Sequence, residues 1–225
     1  YFSRAKRTWP IEPPSPEVAA AGEYQHRGNI PDGYETFQYD LARVAYDIES
    51  GAWGAVETVL PAAEFGMSIS EPRPSPDGRF VLFTATDSGT FPIYDEEADL
   101  WMLELATGET WRLAANSDRC ESWHAWSTNG RWVLFASKRD DGLFARIHFS
   151  YIDADGRSAK SVALPQKDPA FDGAFLKSYN APEFITGWVD VADDELLSQT
   201  IMGPADPAPA NAVTGATPRI MEPVE

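Results

Sequence analysis

Hydrophobic and polar positions alternate in short runs along this chain, and the runs recur. Ser75-Pro76-Asp77-Gly78-Arg79 is a turn that feeds Phe80-Val81-Leu82-Phe83-Thr84-Ala85. Ser127-Thr128-Asn129-Gly130-Arg131 feeds Trp132-Val133-Leu134-Phe135-Ala136-Ser137 in the same way. Asp77-Gly78 and Asn129-Gly130 are tight-turn dipeptides, because Gly accepts positive φ and Asp or Asn tolerates it. The Val, Leu and aromatic runs that follow predict buried strands over 79–85 and 131–137. Each copy then continues alike. Asp99-Leu100-Trp101-Met102-Leu103-Glu104-Leu105 alternates, Ala106-Thr107-Gly108 turns, and Trp111-Arg112-Leu113 returns. In the second copy Ile147-His148-Phe149-Ser150-Tyr151-Ile152-Asp153 alternates, Asp155-Gly156 turns, and Val162-Ala163-Leu164 returns. A weaker earlier copy runs from Val44-Ala45-Tyr46-Asp47-Ile48 through Ser50-Gly51 to Val56-Glu57-Thr58-Val59-Leu60, without a clear first strand.

Turn, strand, loop, strand, turn, strand at this period describes one antiparallel blade. The stretch from Ser75 to Phe83, followed by Asp99-Leu100-Trp101 and Gly108, resembles the repeat of TolB-like β-propellers, relatives of WD-type repeats. Trp123-His124-Ala125-Trp126-Ser127, with Lys138-Arg139-Asp140-Asp141-Gly142, looks like the closing blades of bacterial proteins in that group. Leu164-Pro165-Gln166-Lys167-Asp168-Pro169 through Pro182-Glu183-Phe184 adds to the likeness, which covers residues 71–187. The resemblance implies an all-β fold of tandem four-stranded antiparallel blades. Only about three blades are countable, whereas closed propellers have about 4–8. The expected fold is therefore a partial propeller over 24–202, with repeats near 24–70, 71–118 and 119–168 and then a closing segment. Such a fold leaves function open, since propellers host many unrelated activities.

Both ends differ from this body. Residues 1–23 contain Pro10, Pro13, Pro14 and Pro16, and residues 203–225 contain Pro204, Pro207, Pro209, Pro218 and Pro223. Each reads as an extended arm that needs another surface to lie on. Phe2, Trp9, Ile11, Val213, Ile220 and Met221 are the apolar anchors such arms would present to a protein partner. The chain begins at Tyr1 rather than Met, so an upstream stretch is expected to have been removed or left out, export with processing being one explanation.

Charge narrows the partners. Eighteen basic residues face 35 acidic ones, a formal net charge of −17, which argues against nucleic acid because phosphate backbones demand a clustered Lys/Arg face. A basic subunit, such as a soluble electron carrier, would be attracted instead. No apolar run approaches the ~18 residues of a membrane span. Cys120 is the single cysteine, so an internal disulfide and CxxC chemistry are excluded.

Catalytic chemistry finds little to work with. His26, His124 and His148 are the three histidines, and their spacing matches no metal site. His124, between Trp123 and Trp126, is expected to hydrogen-bond a neighbouring blade, and Trp126 to brace the same junction. Gly66-Met67-Ser68-Ile69-Ser70 lacks the last Gly of a nucleophile elbow, which disfavours a peptidase. Asp95-Glu96-Glu97 lacks the ligand spacing of a calcium loop. No catalytic residue, cofactor or metal ligand is assigned. The expectation is a non-catalytic accessory or interaction subunit, docked on other subunits of a membrane or envelope complex on the periplasmic side of a bacterium. Two alternatives stand: a ligand-binding or sensory propeller region of a longer polypeptide, and a propeller-type enzyme with an acidic pocket.

Overall fold

A computed structural model describes residues 1–5, 37–89, 91–168, 170–174 and 176–187. Residues 1–184 form one compact unit; residues 185–225 form a second, of which 185–187 are described. Among the described residues, the regular structure of the first unit is almost entirely β. Its strands are β1 (Phe2–Ala5), β2 (Tyr39–Tyr46), β3 (Trp53–Leu60), β4 (Ser68–Pro74), β5 (Phe80–Thr86), β6 (Asp99–Glu104), β7 (Thr110–Arg112), β8 (Glu121–Trp126), β9 (Trp132–Ser137), β10 (Arg146–Tyr151) and β11 (Val162–Ala163). Helical turns at Ala62–Phe65, Pro92–Tyr94 and Phe171–Ala174 sit in the connections.

The strands form three antiparallel sheets in the orders β1-β2-β3, β4-β5-β6-β7 and β8-β9-β10-β11. The second and third sheets are the four-stranded meanders expected of blades. The first has three strands, and its β1 comes from the chain's start, pairing Phe2 with Ala42 and Ala5 with Tyr39. Residues 2–5, expected in an extended arm, are thus a sheet strand. The weak earlier copy had no strand of its own to place beside 39–46, and the N-terminus supplies one. The remainder of that arm, and the whole of 203–225, lie outside the described residues.

The repeated turns explain the strands they launch. Ser75 Oγ donates to Asp77 Oδ1 (2.7 Å), Asp77 Oδ1 accepts from the Arg79 amide (3.1 Å), and the Phe80 amide donates to Ser75 Oγ (3.0 Å). Ser127, Asn129, Arg131 and Trp132 repeat this set at 2.8, 3.0 and 2.9 Å. Gly78 and Gly130 complete the turns at φ 71° and 66°. Side-chain oxygens therefore satisfy the backbone donors that the reversal strands, the mechanism of an Asx turn.

Strand β5 is buried on both faces, so its apolar run is continuous rather than alternating. Val81, Phe83 and Ala85 pack with Leu41 and Ile69 against the first sheet. Phe80 and Leu82 join Leu100, Met102, Val133 and Phe135 against the third. The second sheet is the filling of a three-layer stack, and Phe83 and Phe135 are fully buried between layers.

Candidate functional site

Three places in the stack could carry function: a polar clamp between the second and third sheets, a cleft on their innermost strands, and the outer face of the third sheet.

The clamp centres on Glu121, at the start of β8 and with no solvent exposure. Its Oε2 accepts from the Ser117 amide (2.9 Å). Its Oε1 accepts from Ser117 Oγ (2.7 Å), Ser137 Oγ (2.7 Å) and Arg139 Nη2 (2.9 Å). Arg139 also donates to the Ala115 carbonyl (2.9 Å) and to Ser161 Oγ. The chain leaving the second sheet is thereby fastened to three segments of the third. Every lone pair used here meets a donor inside the protein, and this arrangement suits a structural ion pair.

The cleft, of about 280 Å³, has Glu71, Arg73, Trp123, Ala181 and Glu183 among its walls. Glu71, Trp123 and Ala181 are the non-glycine residues with positive φ among those described, at 53°, 52° and 48°. Glu71 and Trp123 mark bulges at matching positions of the inner strands, where register slips between Ser70 and Arg73 and between Ser122 and Ala125. A bulge re-aims side chains and often lies beside a functional site. Here it turns the Glu71 carboxylate towards the next sheet, where Oε2 accepts from the Trp123 amide (2.7 Å) and from Thr84 Oγ1 (3.2 Å). Oε1 is buried and finds no partner among the described residues. Burial raises the Glu71 carboxyl above its ordinary range, against the Trp123 and Thr84 hydrogen bonds that lower it. Glu183 pairs with Arg73 at 3.4 Å.

His124 lies in the wall of the same cleft. Its Nε2–H donates to the Leu82 carbonyl (3.1 Å), and Nδ1 is 3.4 Å from Thr84 Oγ1. Burial lowers its pKa to about 4. The folded protein thus binds fewer protons than the unfolded chain across this range. The stabilisation is complete above the ordinary value of 6.5 and is lost as pH falls towards 4. The loss should reach on the order of 3 kcal/mol. Urea midpoints measured between pH 7 and pH 4 should fall steeply in the wild type and less so in His124→Gln. His148, also lowered by burial, leaves a residual slope. Identical slopes in both proteins would contradict a buried neutral imidazole. Glu71 acts with the opposite sign, its contribution declining as pH rises through its raised value.

Trp126 Nε1 donates to the Arg73 carbonyl (3.1 Å), linking β8 to β4. Phe2 is half-buried in β1. Trp9, Ile11, Val213, Ile220 and Met221 lie outside the described residues. Ser68 is fully buried, accepting from the Tyr39 amide and donating to the Gly89 carbonyl, a structural placement rather than that of a nucleophile. Burial pushes the Cys120 thiol up to about 11. Among the described residues no group of three or more His, Cys, Asp and Glu is placed to hold a metal.

The outer face of the third sheet went unremarked in the sequence. Trp132 and Leu134 point away from the second sheet, since Val133 and Phe135 point towards it. Tyr151 lies opposite Trp132, Phe149 opposite Leu134, and Val162 opposite Phe149. The Trp132 ring sits 5.7 Å from Phe149 and 5.4 Å from Tyr151, centroid to centroid. Trp132, Tyr151 and Val162 are 38%, 41% and 57% exposed. Part of the signal was present: 132–135 is apolar on both parities, which a half-solvated strand is not. By contrast, 147–151 alternates, and the structure buries its polar parity, His148 and Ser150, leaving Phe149 and Tyr151 on the outer face.

The chain's own sheets define its class, an all-β protein with a propeller-like stack of blades. No protein-family model matches the chain. No curated protein matches it. Among solved structures it is similar to the β-propeller domain of the Trilobed protease from Pyrococcus furiosus, at 17% identity and a TM-score of 0.32, over 58% of this chain and 37% of that one. It is also similar to the acylaminoacyl peptidase from Pyrococcus horikoshii, at 15% identity and a TM-score of 0.31, over 58% of this chain and 21% of that one. The chain matches well under half the length of either protein.

Proposed function

We propose that this protein is a non-catalytic interaction module, an accessory subunit docked on a larger protein assembly on the extracytoplasmic side of a bacterial envelope. The observation that carries the reading is the apolar outer face of the third sheet. Trp132, Tyr151 and Val162 form a contiguous aromatic and aliphatic surface, and large exposed apolar patches mark interaction sites. The −17 charge of the chain favours a protein partner over nucleic acid. The resemblance of the Ser75–Phe83 repeat to TolB-like propellers supports the compartment. The cleft beside Glu71, whose buried Oε1 has no partner among the described residues, favours a second reading, a ligand-binding propeller region of a longer polypeptide.

Replacing Trp132 and Tyr151 with Asp tests the docking. Both side chains are more than a third exposed, so the isolated double variant should keep its fold. Its affinity for the assembly should drop about thirtyfold or more, as expected when an aromatic anchor is lost. Co-purification at the wild-type ratio would sink the proposal.

A further inference from the structure

The interface between the second and third sheets is a template for what the third sheet lacks. The two turn-and-strand copies are offset by 52 residues, which pairs Arg79, Phe80 and Leu82 with Arg131, Trp132 and Leu134. Strand register extends the correspondence. Met102 lies opposite Leu82, as Phe149 lies opposite Leu134; Leu100 lies opposite Thr84, as Ile147 lies opposite Ala136.

In the second sheet this set is sealed. Phe80 is 4% exposed, and Leu82, Leu100 and Met102 are fully covered by the third sheet's Val133, Phe135 and Ile152. Two side chains hook the rim of that contact. Arg79 Nη1 donates to the Ala154 carbonyl (2.9 Å) and Trp111 Nε1 to the Gly156 carbonyl (3.2 Å), both in the turn after β10. A covering sheet therefore presents a Val-x-Phe strand to the apolar layer and a turn whose carbonyls face the rim.

In the third sheet the same positions are less covered: Leu134, Ile147 and Phe149 are half-buried, and only Ala136 is sealed. Trp132 stands 38% exposed where Phe80 is buried. Arg131, the counterpart of Arg79, is exposed, and its guanidinium has no partner among the described residues. Among the described residues the apolar layer is only partly covered and the arginine hook is unanswered; the Trp111 hook has no counterpart, since β11 offers Val162 and Ala163 there.

We infer that this face seats one further blade of the same repeat type, contributed by polypeptide outside residues 1–225. It rests on the docking reading above and names the occupant. That blade lays a Val-x-Phe strand over Trp132, Leu134 and Phe149 and offers Arg131 a turn carbonyl. A second copy of this chain fits poorly. Its Val-x-Phe strands, Val81–Phe83 and Val133–Phe135, are already covered within its own stack. Two chains of −17 also repel each other.

A photo-crosslinking amino acid at position 151, in the protein produced in its source cell, tests this. Position 106, exposed in a turn of the second sheet, serves as the control. The expected product joins position 151 to a peptide outside residues 1–225 that carries a Gly-containing turn and a Val-x-Phe strand. Arg131→Ala should cut the yield roughly tenfold, as for a lost charge-assisted hydrogen bond. A crosslink to a peptide without that pattern leaves docking intact and overturns the blade. A crosslink to this chain's own sequence, within or between copies, also overturns it. Yield no higher than at position 106 overturns both the blade and the docking reading.

Discussion

Glu121→Ala is expected to be among the most damaging single substitutions in the protein. It removes a carboxylate that takes four hydrogen bonds and leaves the Arg139 guanidinium without its ion-pair partner. Breaking a buried pair from one side typically costs 3–5 kcal/mol. Arg139 retains 20% exposure and three other acceptors, the Ser137 and Ser161 hydroxyls and the Ala115 carbonyl, which places the cost near the lower end, roughly 3 kcal/mol. The Ser117 amide and the Ser137 hydroxyl are stranded at the same time, in the junction between two sheets. A fall in urea midpoint with an unchanged slope is the expected result. Glu121→Gln, which keeps an acceptor and loses the charge, should fall between the two. A midpoint for Glu121→Ala within error of the wild type would show that the clamp contributes nothing to the stack.

Gly156→Val should be comparably severe, for a different reason. Gly156 sits at φ 73°, where a β-branched residue is strained. A Cβ there would also lie 2.9 Å from the Phe80 ring and 3.0 Å from Trp111. Those rings are part of the contact between the second and third sheets, so they cannot move without opening the core. Strain and overpacking together should cost roughly 4 kcal/mol. Gly78 separates the two causes. Its φ is 71°, yet a Cβ there meets nothing within 4 Å. Gly78→Val should therefore cost only the strain, roughly 1–3 kcal/mol. Equal thermal melting points for the two variants would mean that the close approach at Gly156 is relieved at no cost.

The difference between these glycines shows where reading the chain stops. Both follow an acidic residue in a turn, and both read as tight-turn signals. Only the stacking of sheets makes one of them intolerant of a side chain for a second reason. The same holds for Glu71. In the sequence it is one acidic residue ahead of Pro72-Arg73-Pro74. In the fold a bulge aims it at Trp123, 52 residues away.

The sequence by itself determined the turn and strand repeat. The hydrogen bonds that build each turn join residues no more than five apart, so the side chains that make them are adjacent in the text. It also determined that β5 is buried on both faces, because Phe80 to Ala85 is apolar without alternation save for Thr84. Tertiary structure alone decided which strands became neighbours in different layers. Arg79 meets Ala154, Trp111 meets Gly156, Trp126 meets Arg73, and Glu121 gathers donors from Ser117, Ser137 and Arg139. It decided too that residues 2–5 join the first sheet and that, among the described residues, the third sheet's outer face stays partly exposed. Apolar periodicity says that a face must be covered. What covers it depends on packing between elements whose separation along the chain carries no directional signal.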